Sequence, residues 1–97
     1  MFLCGIAVLA VITNFINGQF SPELAHAVFR SPERRAALVE AIYQLLRENS
    51  YDGVNLDIEN VFPEDREAFT QFVRELSERL RPDGLIMSMA APAKTEE

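Results

Sequence analysis

One stretch of this chain restricts its fold more than any other. In Asp52-Gly53-Val54-Asn55-Leu56-Asp57-Ile58-Glu59, apolar and polar residues alternate with a period of two. Alternation of this kind puts Val54, Leu56 and Ile58 on one face of an extended strand, and Gly53, Asn55, Asp57 and Glu59 on the other. The segments on either side are helical in pattern. Ahead of it, Ser31-Pro32-Glu33 offers a capping serine, a proline at the first helical position and a glutamate at the positive end of the dipole. Leu38, Ile42, Leu45 and Leu46 then share one helical face. Behind it, Pro63-Glu64-Asp65 opens a helix with an apolar stripe at Phe69, Phe72, Val73, Leu76 and Leu80. Glu75 and Arg79 of that helix are spaced for an i,i+4 pair, and Pro82-Asp83-Gly84 stops it.

The remaining segments complete the pattern. Gly5 to Phe15 is a nearly continuous apolar run, which suits a strand covered on both faces. Asn17-Gly18 is a turn signal, and Ser21-Pro22-Glu23 opens a short helical stretch to about Phe29. Leu85 to Ala91 reads as a last strand and Lys94 to Glu97 as a tail. The expected elements are a strand over 1–15, a helix over 32–49, a strand over 52–60, a helix over 63–81 and a strand over 85–91. Strands separated by helices imply an α/β fold with a parallel sheet and right-handed crossovers. No linker divides the 97 residues, which hold one small domain.

Composition narrows the chemistry. The formal net charge is −6 with no basic cluster, which argues against nucleic acid as a partner. A single cysteine, Cys4, rules out an internal disulfide and a thiolate metal cluster. The single histidine, His26, rules out a paired-histidine zinc motif, and it reads as surface or loop packing. The first dozen residues lack the basic start of an export signal, the first basic residue being Arg30, and they are too short to span a membrane. No membrane contact and no cofactor are expected. The chemistry available is that of carboxylates, amides and hydroxyls.

Asn55, Asp57 and Glu59 supply it. Consecutive positions on one strand face lie about 6 to 7 Å apart. Two carboxylates this close and partly desolvated repel, which raises the proton affinity of one of them. That is what a general acid needs at neutral pH. Parallel α/β folds place their sites at the carboxyl ends of strands, where Glu59 stands. Acid catalysis by Glu59, tuned by Asp57, is therefore expected. Two other readings fit the same alternation: the wet face of an antiparallel sheet, and oxygen ligands for magnesium or calcium, although no glycine-containing calcium loop is present.

The same eight residues resemble the Asp-Gly-x-Asp-x-Asp-x-Glu signature of family 18 glycoside hydrolases, the chitinase family. Val11-Ile12-Thr13-Asn14-Phe15, Gly18-Gln19-Phe20-Ser21, Glu59-Asn60-Val61 and Pro63-Glu64-Asp65-Arg66 are similar to one branch, the spore-cortex lytic and spore-germination enzymes that act on peptidoglycan. The resemblance covers nearly the whole chain. It implies a fragment of a (β/α)₈ barrel, about strands 3 to 5 with two intervening helices, where a complete barrel takes about 250 residues.

The resemblance also implies retaining, substrate-assisted hydrolysis of N-acetylglucosamine linkages in peptidoglycan or chitin. Glu59 would be the general acid and base, and Asp57 would orient the acetamido group that attacks the anomeric carbon. Asn55 stands where chitinases carry an aspartate; it can donate a hydrogen bond to Asp57 but cannot shuttle a proton. Asn14 and Asn60, at strand ends, would contact substrate. Asp52 and Gly53 would support the strand entrance. The family works outside the cytoplasm or at the spore. An incomplete barrel implies an inactive isolated chain that self-associates through unpaired strand edges. The alternative is a truncated, inactive carbohydrate-binding remnant.

Overall fold

The computed structural model describes residues 7–89. The start of the first expected strand, including Cys4 and Gly5, lies outside them, as do Ala90, Ala91 and the tail from Lys94. The elements run β1 (Leu9–Thr13), β2 (Phe15–Ile16), β3 (Gln19–Phe20), α1 (Pro22–Phe29), α2 (Pro32–Glu48), β4 (Gly53–Asp57), α3 (Arg66–Leu80) and β5 (Ile86–Met89). Short 3₁₀ turns, Pro63–Asp65 and Arg81–Asp83, flank α3.

β4 is the centre of a three-stranded sheet, parallel to β1 on one side and to β5 on the other. The parallel arrangement excludes the antiparallel reading of the alternating segment. Its register aligns Val11 with Asn55 and Thr13 with Asp57 across β1, and Asn55 with Ser88 across β5. The outer sides of β1 and β5 meet no further strand among the described residues.

All three helices cover one face of this sheet, and the period-two alternation explains the choice. Val54 and Leu56 are fully buried against Phe29 of α1, Ile42 and Leu46 of α2, and Phe72, Leu76 and Leu80 of α3. Burial of side chains of this size contributes roughly 1.5–3 kcal/mol each. Phe72 and Phe29 meet ring to ring at 4.9 Å. The opposite face, with Asn55 and Asp57, has no helix over it among the described residues, and Val11 on that side is 60% exposed.

Both serine caps are formed: Ser21 Oγ accepts from Leu24 N at 3.1 Å and Ser31 Oγ from Arg34 N at 3.2 Å. Two helical expectations need correction. The buried stripe of α2 runs through Val39, Ile42 and Leu46, while Leu45 is exposed. Ile42 and Leu46 lie in it as expected and Leu38 packs at its edge; Val39 takes the place of Leu45 because α2 must face both the sheet and α3. Nor do Glu75 and Arg79 pair along α3. Glu75 takes both donors of Arg35 at 3.2 and 3.3 Å, and Arg79 grips Glu40 with two bonds of 3.0 Å. Helix–helix packing brings these planar, two-pronged partners within reach, and they outcompete a single-pronged pair along one helix.

Asn17-Gly18 forms the tight turn of a β2–β3 hairpin, with both residues at positive φ (51° and 85°). Asparagine and glycine are the residues that tolerate this conformation. The hairpin projects from the carboxyl end of β1, and Phe15 packs edge-on against Phe20.

Candidate active site

The polar residues of β4 and its exit sit where the open face of the sheet reaches its carboxyl end. Asn55 and Asp57 belong to the strand and are half-buried. Glu59 was expected inside the strand, but β4 ends at Asp57 and Glu59 stands two residues beyond. The ladder stops there because its partner β1 ends at Thr13 and turns away into the hairpin.

Glu59 is half-buried beside Asp57. Desolvation first, then a hydrogen bond and Coulomb repulsion from Asp57, raise its carboxyl above the ordinary glutamate value. Burial favours the neutral acid, and a neighbouring negative charge adds to that preference. Asn55 does not turn to Asp57: its Oδ1 accepts a 2.8 Å bond from Ser88 Oγ on the neighbouring strand. The bond is lateral because the paired strand, about 4.8 Å away, lies closer than the next residue on the same face of β4, about 6 to 7 Å away. A cleft of about 490 Å³ opens beside Glu59 and Asn60, walled by Arg66, Phe69 and Thr70 of α3.

The supporting residues take distinct places. Asp52 closes the entrance of the sheet: its Oδ2 accepts from Val8 N at 2.7 Å, and its carbonyl accepts from Ile86 N at 2.9 Å. Gly53 lies hard against β5, where any Cβ would run into the backbone of Ile86. Asn60 has positive φ (61°), a conformation asparagine adopts more readily than most residues, and its amide donates to Phe20 O at 3.3 Å. Asn14 is only 3% exposed, with its side-chain amide bonded to the backbone of Ser21 and Glu59. It faces the protein interior, so the structure does not bring it to the cleft surface.

One cluster has no counterpart in the sequence reasoning. Asp65, just before α3, is completely buried, and His26 Nδ1 of α1 and Arg30 Nη1 at its C-terminal cap reach its two oxygens at 2.8 and 3.2 Å. Burial pushes the Asp65 carboxyl up, but the bonds and charges of His26 and Arg30 prevail and hold it below the ordinary aspartate value. His26 is thus a structural tether. The available signal was its spacing from Arg30, which puts both on one face of α1, although nothing in the sequence pointed to their common partner. Among the described residues, no group of three or more His, Cys, Asp or Glu is placed to hold a metal ion, and no helix is long and apolar enough to cross a membrane.

Comparisons with known proteins agree with this arrangement. The family model for glycosyl hydrolases family 18 matches residues 11–97. The Bacillus subtilis protein YdhD, named as a sporulation-specific glycosylase, is 44% identical over 92% of this chain and 21% of its own length. The cortical fragment-lytic enzyme of Bacillus cereus is 34% identical over 90% of this chain and 20% of its own length. The chain therefore spans about a fifth of the curated relatives it matches.

Among solved structures, the crystal structure of YdhD superimposes with a TM-score of 0.88 at 43% identity, over 94% of this chain and 30% of that one. The Bacillus megaterium spore cortex-lytic enzyme SleL gives 0.84 at 31% identity, over 91% and 20%. A class V chitinase from Pseudomonas fluorescens gives 0.83 at 27% identity, over 89% and 26%. The three strands and their helices are part of a (β/α)₈ barrel, and a closed barrel accounts for the free outer sides of β1 and β5.

Proposed function

This chain belongs to glycosyl hydrolases family 18, and from that premise we propose that it supplies the acid-bearing strand of a hydrolase cleaving N-acetylglucosamine linkages, in peptidoglycan before chitin. The observation that carries the proposal is Glu59, held at the mouth of a cleft at the carboxyl end of β4, with its proton affinity raised by burial and by Asp57. A carboxyl whose proton affinity is raised is better suited to give a proton to a leaving-group oxygen. The preference for peptidoglycan rests on the cortical fragment-lytic and spore cortex-lytic relatives.

In the substrate-assisted scheme, Glu59 protonates the glycosidic oxygen as the acetamido carbonyl of the substrate attacks the anomeric carbon. Asp57 holds the acetamido N–H, which sharpens that oxygen as a nucleophile. Glu59, now a carboxylate, then takes a proton from the water that opens the cyclic intermediate. Asn55, anchored to Ser88, keeps the floor of the strand polar without adding a third charge. Asn60, on the rim beside Glu59, contacts the glycan. Alone, the chain has little or no activity, because among the described residues the open face of its sheet has few of the walls that would position a sugar.

The test is to exchange the matching segment of YdhD for the aligned segment of this chain and assay cortex-type glycan, with Glu59→Gln in parallel. Turnover by the exchange protein and its loss by about a hundredfold or more in folded Glu59→Gln is the expected result. A folded Glu59→Gln protein with undiminished turnover would refute the assigned acid.

A further inference from the structure

A chain that leaves a sheet ordinarily gives up the hydrogen bonds that held it there. Glu59 lies two residues past the last residue of β4, yet both of its backbone polar groups are bound. Glu59 N donates to Asn14 Oδ1 at 3.1 Å, and Asn14 Nδ2 donates to Glu59 O at 2.8 Å. A side-chain amide offers the same N–H and C=O groups as a peptide unit. Asn14 therefore extends the β1–β4 ladder with its side chain at the point where the β1 backbone turns away.

The same amide is itself fixed. Asn14 Nδ2 also donates to Ser21 O at 3.1 Å, and Asn14 O accepts from Ser21 N at 2.9 Å, which ties it to the exit of the hairpin. It is 3% exposed, so water does not compete for these bonds. On the far side of Glu59, the left-handed turn at Asn60 and its bond to Phe20 O set the outgoing direction of the chain. Isosteric neighbours cannot substitute: aspartate has no donor for Glu59 O, leucine has neither group, and glutamine is a methylene too long.

We propose that Asn14 is a positioning residue for Glu59, clamping the backbone from which that carboxyl projects and so setting its place beside Asp57 at the carboxyl end of β4. The inference rests on the reading of Glu59 as the acid. It assigns Asn14 a role through Glu59 in place of contact with the glycan.

The experiment is a carbon-13 NMR titration of the Glu59 carboxyl in the chain, in Asn14→Ala, and in Val39→Ala as a destabilised control remote from the loop. In folded Asn14→Ala the Glu59 titration should move toward the ordinary glutamate range while that of Asp65 stays low; Val39→Ala should move neither. A folded Asn14→Ala with an unmoved Glu59 titration overturns the proposal, whatever Glu59 does to a glycan. Should Asn14→Ala fail to fold, hydrogen exchange in the unaltered chain decides. The Glu59 amide should be protected to within about tenfold of Leu56 inside β4, and exchange at the rate of an open loop overturns the clamp. In the YdhD exchange protein, Asn14→Ala should lower kcat about tenfold or more with KM within about twofold. Failure of the acid assignment would show separately: Glu59→Gln would be active, while Asn14→Ala in the otherwise unaltered chain would still shift the Glu59 titration.

Discussion

Replacing Gly53 by alanine adds one carbon atom where β4 lies against the backbone of Ile86 in β5. Gly53 pairs with Ile86 in the register of the sheet, and a Cβ there would collide with the Ile86 carbonyl and approach its backbone N and C to 2.7 Å. These are backbone atoms, so no rotamer change relieves the contact. β5 must slide or peel away from the sheet. Overpacking costs about 1–3 kcal/mol where side chains can adjust, and a backbone obstacle puts this substitution at the upper end. Displacement also weakens the bond from Ile86 N to Asp52 O, now 2.9 Å, for about 1 kcal/mol more. The sum is about 3–4 kcal/mol, or roughly 12–32 °C in Tm at about 4–8 °C per kcal/mol for a domain of this size.

The assay is thermal unfolding followed by circular dichroism, with Gly84→Ala as the contrasting variant. Gly84 has φ of 71° and nothing near its would-be Cβ, so its replacement costs only the left-handed backbone strain, about 1–2 kcal/mol. Gly53→Ala should therefore melt well below Gly84→Ala. If Gly53→Ala melts within about 2 °C of the unaltered chain, the close approach of β4 and β5 does not exist in solution.

Two further predictions concern pH and have opposite signs. The folded-state affinity of Glu59 is raised above 4.5, so the folded chain holds that proton more tightly than the unfolded chain, and stability falls as pH rises through this window. Glu59→Gln should be more stable than the unaltered chain at neutral pH, with the difference vanishing below 4.5; equal urea midpoints at pH 7 would show that Glu59 is not destabilised in the fold. Asp65 is held below 3.8, so its contribution is present above that value and lost as pH falls through its folded-state value. Asp65→Asn should be less stable at neutral pH, and the gap should narrow on acidification below 3.8; a gap independent of pH would mean that the His26–Arg30 tether does not act on a carboxylate.

The alternation in 52–59 determines much of this protein without any help from tertiary structure. A period of two can bury only one set of side chains, so Val54 and Leu56 had to face helices and Asn55 and Asp57 had to face away from them. The serine caps, the Asn17-Gly18 turn and the parallel order of β1, β4 and β5 follow from equally local causes, because capping, turn conformation and crossover length all act within a few residues or one connection. The spacing of Asp57 and Glu59 together with partial desolvation anticipated the direction of the Glu59 shift, whose largest cause is burial.

What sequence could not reach are the contacts between residues roughly 33 to 45 positions apart. Glu75 chose Arg35 over Arg79, Asn55 chose Ser88 over Asp57, His26 and Arg30 converged on Asp65, and Asn14 took up the backbone of Glu59. Each choice depends on which polar groups lose water together when the helices close over the sheet. A buried group must find a partner wherever packing leaves one, and that geometry exists only once the chain has folded.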